Sequence, residues 1–235
     1  LSDAVSTFEQ SNKRLIDHVT ERMLVAETAL EGFSAYISQV SNINHQELAL
    51  FAANLLERYP FLYMFEVAEK ITHQQRDKTE NYLKSIYPEF YIRHFDYEKT
   101  RKWQPVEISD SYYPIIFQEP YFSDKRNIVG LDLYASDFLL EAMKISNAQG
   151  IPVATRPFTL VEDELGYVIH RAVSRKTSAQ PKPLTAQKYV LLALKSETLF
   201  SNIRNIAKQY SVIIKHAGFT LSNNEFPVIL NKNIS

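Results

Sequence analysis

The fold is decided by one stretch, NIVGLDLYASDFLLEAMKISNAQGIPVATRPFTL, at residues 127–160. Its middle part has helical spacing. Ser136 is placed to cap the start of this helix, and Asp137 suits the positive end of the helix dipole. Gly150 supplies the left-handed residue that ends a helix. Residues 151–155 then return as a strand, which predicts a strand, helix, strand order.

The segments around this stretch extend the same order. Residues 162–164 (EDE) form a predicted hairpin turn, and residues 167–173 (YVIHRAV) have the apolar content of a following strand. Residues 45–59 have helical spacing and stop before Pro60, whose ring disfavours helix at the preceding residue. Antiparallel strands with helices on one side predict an α+β fold and not a doubly wound parallel sheet.

The first forty residues predict one long helix, about 60 Å in length at 1.5 Å per residue. Two adjacent rows of apolar residues run along it, and one repeats every seven residues, at Ile16, Met23, Leu30 and Ile37. Either this stripe packs only on its own domain, or it also pairs with a second copy as a stalk. In the second case Asn12 and Arg22 would help to fix the register of the pair.

A polar segment with two prolines, residues 174–187, is the best candidate for a linker or long loop. Beyond it, residues 188–195 (KYVLLALK) predict a buried strand, followed by an amphipathic helix and another strand. The sequence therefore divides into a helix at 1–44, a larger unit at 45–175 and a smaller unit at 176–235.

Composition excludes several classes of function. The net charge is -1 and the pI is about 6.7, which argues against a nucleic-acid partner. Cysteine is absent, so disulfides and thiolate chemistry are excluded. The six histidines show no metal-binding spacing, and glycine-rich nucleotide loops and serine-nucleophile motifs are absent. We predict no metal, no cofactor and no catalysis by this piece.

The ends of the chain predict a piece cut from a longer protein. It starts at Leu1 without a methionine, and no signal-peptide pattern follows. No apolar run reaches the roughly 18 residues of a membrane span.

Several short motifs, in a fixed order, resemble the CHASE sensory domain. They are YP at 59–60, W and P at 103 and 105, YPIIF at 113–117, EP at 119–120, GLD at 130–132 and TRPF at 155–158. The resemblance implies the extracytoplasmic or periplasmic sensor of a membrane-anchored receptor, with a histidine kinase or a diguanylate cyclase or phosphodiesterase as the output. It also implies a long N-terminal helix that continues from a transmembrane helix, a membrane-distal PAS-like unit and a membrane-proximal one. From the apolar stripe on that helix we expect a homodimer.

The resemblance also implies a site for a small molecule. In cytokinin receptors an aspartate reads the adenine; here Leu139 occupies that place, with Asp137 two positions away, which argues against a cytokinin. A threonine of that pocket falls at His170. The predicted ligand-binding residues are Asp132, Asp137, Leu139, Thr155, Phe158, Val161 and His170.

Two of these residues keep a second interpretation. His170 shares a strand face with Val168 and Ala172, so it is either a hydrogen-bonded core histidine or a ligand contact whose charge changes near neutral pH. Asp132 either caps a turn or contacts the ligand. The alternative for the whole domain is a non-catalytic protein-interaction or dimerisation module with a vestigial pocket.

Overall fold

The computed structural model describes residues 2–40, 42–173, 187–199, 213–216 and 219–222. Five α-helices occur in these ranges: α1 (Ser2–Gln39), α2 (His45–Arg58), α3 (Arg76–Lys84), α4 (Asp137–Gln149) and α5 (Ser196–Leu199). Short 3-10 helices precede α3 and α4, at His73–Gln75 and Leu133–Ala135.

Twelve strands lie in the described ranges. They are β1 (Met64–Glu69), β2 (Ile71–Thr72), β3 (Arg93–Phe95), β4 (Trp103–Pro105), β5 (Ser111–Tyr112), β6 (Ile115–Glu119), β7 (Val153–Ala154), β8 (Phe158–Thr159), β9 (Leu165–Val173), β10 (Lys188–Lys195), β11 (Ile213–His216) and β12 (Phe219–Ser222).

The main sheet has the order β6-β1-β10-β9-β7, and β8 extends the pairing of β9. All its pairings are antiparallel. The strands β2 and β5, β3 and β4, and β11 and β12 form separate two-stranded pairs. The α+β fold class predicted from the sequence, a long N-terminal helix followed by antiparallel PAS-like sheet structure, is therefore confirmed.

The main sheet is covered on both faces. Because side chains alternate along a strand, β1 sends Phe65 and Val67 to one face and Met64, Glu66 and Ala68 to the other. On the first face the helix α1 contacts β9 and β10. On the second face α4 packs over β9. We refer to these two surfaces as the α1 face and the α4 face.

The helix α1 covers the sheet with its second half. Seven of its apolar side chains are buried: Val19, Met23, Ala26, Ala29, Leu30, Phe33 and Ile37. Ile16 belongs to the row predicted to be buried, but it is 62 % exposed. Every described side chain before His18 is exposed, because that part of the helix lies outside its packing on the sheet.

The helix in the stretch at 127–160 was predicted correctly, with one detail wrong. It runs from Asp137 to Gln149, and Gly150 ends it with a φ of 64°. Ser136 occupies the N-cap position, but its side chain makes no capping hydrogen bond. The predicted strand at 151–155 is limited to the two residues of β7.

The predicted boundary between the larger unit (45–175) and the smaller unit (176–235) is wrong for the strand β10. Lys188–Lys195 was assigned to the second unit, but β10 pairs with β1 on one side and β9 on the other. It lies inside the main sheet, between β1 and β9, and its six central residues are buried. Beyond Leu199 the structure describes only the β11–β12 hairpin, and the membrane-proximal unit stays a prediction.

The role predicted for Arg22 in a helix pair is also corrected. Its Nη1 atom donates to the carbonyl oxygens of Thr198 and Leu199, at 2.9 and 2.6 Å. Its guanidinium lies over the ring of Phe61. These partners belong to the same chain, so Arg22 attaches α1 to the end of α5.

A candidate ligand cavity under helix α4

A cavity of about 30 Å³ lies on the α4 face of the main sheet. Its floor comes from four sheet strands, and its cover comes from α4, the segment before α4 and the β8–β9 hairpin. The lining residues are Tyr63, Met64, Glu66, Tyr97, Ile115, Ile128, Leu131, Leu133, Leu139, Phe158, Leu160, Val161, Glu162, Val168, Leu191 and Ala193. Four of these side chains are half-buried and form the rim: Tyr63, Tyr97, Ile128 and Phe158.

The rim is largely aromatic. The ring of Tyr97 packs edge-on against those of Phe138 and Phe158, at centroid distances of 5.5 and 5.3 Å. Such perpendicular contacts are favourable because the positive edge of one ring meets the negative face of the other. Burial, followed by the nearby Glu66 carboxyl, raises the pKa of the Tyr97 hydroxyl, so it stays protonated.

Two buried carboxyl groups line the cavity, and only one has a basic partner. Lys195 Nζ lies 3.3 Å from Glu162 Oε1 and 3.8 Å from the centre of the Tyr63 ring. Glu66 is 2 % exposed, and its Oε1 atom has no hydrogen-bond partner among the described residues. Burial, with a smaller effect of Glu162, raises the pKa of Glu66 to about 8. Desolvation disfavours the charged form of a carboxyl, so Glu66 is mainly neutral at pH 7.

A polar network holds the cover in place. Arg101 donates to the carbonyl oxygens of Thr159 and Leu160 and pairs with Asp163 at 3.1 Å. Lys125 reaches the other oxygen of the same carboxylate, also at 3.1 Å. The network joins the loop after β3 and the loop after β6 to the β8–β9 hairpin. It is exposed at Asp163 and Lys125, so each pair contributes little alone.

Three of the residues predicted to bind a ligand meet in this cavity. Leu139 reaches it from α4, Phe158 from β8 and Val161 from the turn that follows. All three contribute apolar surface. Their proximity agrees with a shared pocket, and their contact with a ligand stays a prediction.

The two predicted aspartates lie outside the cavity. Asp132 is 4 % exposed, and its Oδ1 atom accepts from the backbone N–H groups of Tyr113 and Tyr134, at 2.7 and 3.2 Å. It therefore caps the turn before α4, as its alternative interpretation held. Asp137 is exposed in the first turn of α4. Its side chain borders a separate surface groove with His94 and Asp96.

Thr155 and His170 are buried on the same face but do not line the cavity. Thr155 Oγ1 accepts from the backbone N–H of Val168, at 3.1 Å, which ties β7 to β9. His170 is fully buried between Val153 and Leu191 in the sheet register. Both of its ring nitrogens lack a hydrogen-bond partner in the described part of the chain. The predicted change of charge near neutral pH is wrong, because burial lowers the pKa of His170 to about 3.

Sequence reasoning missed the polar residues of the cavity. Glu66 was visible as the one charged residue inside FLYMFEVA, because a carboxylate in an otherwise apolar strand is a signal of a functional site. Glu162 was assigned to a hairpin turn, where charged side chains are usually solvated, yet it is 8 % exposed. Nothing in the local sequence places Lys195 beside it.

Two features are absent from the part of the chain that the structure describes, residues 2–40, 42–173, 187–199, 213–216 and 219–222. None of the helices in those ranges is long and apolar enough to cross a membrane. No group of three or more acidic or histidine side chains in the same ranges is arranged to hold a metal ion.

Comparison with known proteins establishes the family. The CHASE domain pattern matches residues 41–225, which is most of the chain. The chain belongs to the CHASE domain family. CHASE domains are non-catalytic sensor regions of membrane receptors, and they lie outside the cytoplasm. A curated relative of this CHASE domain is probable histidine kinase 4 of Oryza sativa subsp. japonica, 24 % identical over 194 residues.

The relative is much longer than the CHASE domain. The match covers 80 % of this chain but only 18 % of the rice protein. Among solved structures, the ligand-binding domain of the Pseudomonas aeruginosa PAO1 amino acid chemoreceptor PctC in complex with GABA has a TM-score of 0.55. It is 12 % identical, and the match covers 97 % of this chain and 80 % of the receptor domain. At this identity the likeness concerns the fold alone.

Proposed function

We propose that this CHASE domain binds a small molecule in the cavity under α4 and reports its presence as the extracytoplasmic domain of a transmembrane receptor. The observation that carries the proposal is the buried Glu66 carboxyl, which lines a largely apolar cavity and whose Oε1 atom has no hydrogen-bond partner among the described residues. A buried polar group without a partner is costly to fold. A ligand that forms a hydrogen bond or ion pair with Glu66 would give a reason to retain this carboxyl group.

The proposed signal crosses the main sheet. Arg171 Nε donates to Glu31 Oε1 at 2.8 Å, which links β9 to α1 on the face opposite the cavity. Arg22 links α1 to the end of β10 through α5. A ligand that binds one arrangement of β9, β10 and α1 more tightly than another shifts the population between them.

The proposed full-length receptor is anchored in the membrane and faces the periplasm or cell exterior. Its cytoplasmic output is a histidine kinase or a diguanylate cyclase or phosphodiesterase, and the rice relative favours the kinase. We further propose that α1 pairs with a second copy. Ile16 and Leu24, each 62 % exposed, are apolar positions that such a pair would cover.

The size of the cavity favours a second candidate function. A volume of about 30 Å³ holds little more than one water molecule. A pocket filled by its own side chains fits a protein-interaction or dimerisation module with a vestigial site. Under the first proposal, the half-buried rings of Tyr63 and Phe158 must move outward when a ligand enters.

Thermal shift measurements distinguish the two functions. The domain is screened against amines, amino acids, carboxylates, adenine derivatives and short peptides. A ligand at a hundred times its dissociation constant stabilises the fold by about 2.7 kcal/mol, or about 5 to 10 °C for a chain of this size.

The matched variants are Ala193→Val and Ala172→Val. Both alanines are buried on the α4 face, but only Ala193 lines the cavity. A thermal shift that Ala193→Val abolishes and Ala172→Val retains supports the ligand sensor. A screen without any shift, or a shift that both variants retain, supports the interaction module.

A further inference from the structure

Glu66 differs from the other buried carboxyl groups of the described ranges. Asp132 accepts two backbone N–H groups, and Glu162 lies beside Lys195. Glu66 lies on β1, an inner strand of the main sheet, opposite Leu191 of β10 and Gln118 of β6. The Gln118 amide is already engaged with backbone groups of the loop after β6. The neighbouring strands therefore offer Glu66 no counter-ion.

The charges around Glu66 favour a positive ligand. The other ionisable groups that line the cavity are Glu162, which adds negative charge, and the hydroxyls of Tyr63 and Tyr97, which stay neutral. Two cations that contact the cavity lining are already engaged: Lys195 pairs with Glu162 and Glu164, and Arg101 pairs with Asp163. A negatively charged ligand would meet two carboxyl groups in the cavity and no cation among the described residues that line it.

The walls of the cavity also suit a cation with an apolar body. Tyr63, Tyr97 and Phe158 present aromatic rings at the rim. Aromatic faces attract cations, most strongly where water is excluded. Leu139, Leu191 and the other aliphatic residues would contact the apolar part of the same molecule.

We propose that the ligand of this cavity is an ammonium compound with a small apolar body, held by Glu66 as its counter-ion. The inference rests on the proposed function, and it specifies the ligand class of that site. The protonated nitrogen lies against the Glu66 carboxylate and the aromatic rim. The apolar body takes the space under α4 that opens when the rings of Tyr63 and Phe158 move outward.

Binding of such a ligand releases a proton. In the free domain the pKa of Glu66 is about 8, so the carboxyl is mainly protonated at pH 7. The ammonium group favours the ionised form, so the neutral carboxyl and the ammonium ion form a carboxylate–ammonium pair and one proton passes to solvent. Affinity for the ammonium ligand therefore increases about tenfold for each unit by which the pH is raised toward about pH 8. Above that pH the affinity levels off, at about pH 8 and higher.

The test uses isothermal titration calorimetry with three probes of similar shape: benzylammonium, benzyl alcohol and benzoate. Each is titrated at about pH 6.5 and at about pH 8, in two buffers of different ionisation enthalpy. We expect binding of benzylammonium only. At the lower pH we expect release of nearly one proton for each ligand bound, a quantity that needs no variant.

The matched variants are Glu66→Gln and Glu69→Gln. The two glutamates lie three residues apart on β1, and Glu69 is outside the cavity. Glu66→Gln should bind benzylammonium at least tenfold more weakly and without proton release, and Glu69→Gln should bind it normally. Unchanged binding by Glu66→Gln, equal binding of the alcohol, or no binding of the ammonium probe overturns the inference. If a neutral ligand binds and Ala193→Val excludes it, the ammonium inference fails but the proposed function stands. If no ligand of any class binds to the domain, both the inference and the proposed function fail.

Discussion

The two faces of the main sheet both bury apolar side chains, but they differ in how their charged groups are partnered. On the α1 face, Arg171 reaches Glu31 and Arg22 reaches two backbone carbonyls, so the described cations in the interface are paired. On the α4 face, Glu66 and His170 are buried with unpartnered atoms in the described ranges. Stability requires the first kind of packing. The second kind costs stability, and the proposed binding site gives a reason to retain it at Glu66.

The largest expected effect compares one substitution on the two faces. Phe33 is fully buried on the α1 face, with its ring centroid 4.9 Å from that of Phe65. Phe33→Ala should lower the free energy of unfolding by about 3 to 5 kcal/mol, because it leaves a large hole in a close-packed core. Phe158→Ala, at the half-buried rim of the cavity, should cost about 1 to 2 kcal/mol. Urea denaturation measures both, and equal losses would contradict the difference between the faces.

The next effect is the pH dependence of stability caused by Glu66. Its pKa is raised from 4.5 to about 8 on folding, so the folded state holds a proton that the unfolded state has lost. The stabilising contribution of the neutral form is complete below pH 4.5 and is lost as the pH rises through 8. Between pH 6 and pH 8 the wild type should lose about 2 to 3 kcal/mol relative to Glu66→Gln.

His170 provides the control for that measurement, because its effect has the opposite sign. Its pKa falls from 6.5 to about 3 on folding, so stability is lost as the pH falls below 6.5. His170→Leu should remove this acid-side loss and leave the slope between pH 7 and pH 8 unchanged. A stability curve of Glu66→Gln parallel to that of the wild type between pH 6 and pH 8 would show that Glu66 is ionised in the folded domain.

A smaller effect concerns the ion pair on the α1 face. The side chains of Arg171 and Glu31 are 18 % and 44 % exposed, so water screens the pair only in part. A double-mutant cycle with Glu31→Gln and Arg171→Gln should give a coupling energy of about 1 kcal/mol. Coupling that vanishes at low salt would show that the pair does not hold α1 to β9.

The smallest effect is expected at the exposed part of α1. Ile16→Ala should change the free energy of unfolding by less than about 0.5 kcal/mol in a monomer, because the side chain is 62 % exposed. In a dimer formed through α1, the loss would be larger and would depend on protein concentration. Denaturation at two concentrations, with sedimentation velocity, separates these outcomes and tests the proposed homodimer.

Local patterns in the sequence determined much of the fold. The period of the apolar residues predicted α1 and α2, and the position of Gly150 predicted the end of α4. Alternation along β9 placed His170, Val168 and Ala172 on one face, and the structure agrees. Helix periods, strand periods and left-handed turns depend on neighbours only a few residues apart, so they can be recognised without a structure.

The content of the cavity was decided by the tertiary structure alone. Glu66, Glu162 and Lys195 meet there only because β10 inserts between β1 and β9. The sequence analysis placed that strand in another unit, since an apolar strand carries no local mark of the strands with which it pairs. The sequence by itself determined the elements, the apolar residues at Leu139, Phe158 and Val161, and the family resemblance. The register between distant strands depends on burial across the whole domain. It sets Glu66 opposite Leu191 and Gln118, and its Oε1 atom has no hydrogen-bond partner among the described residues.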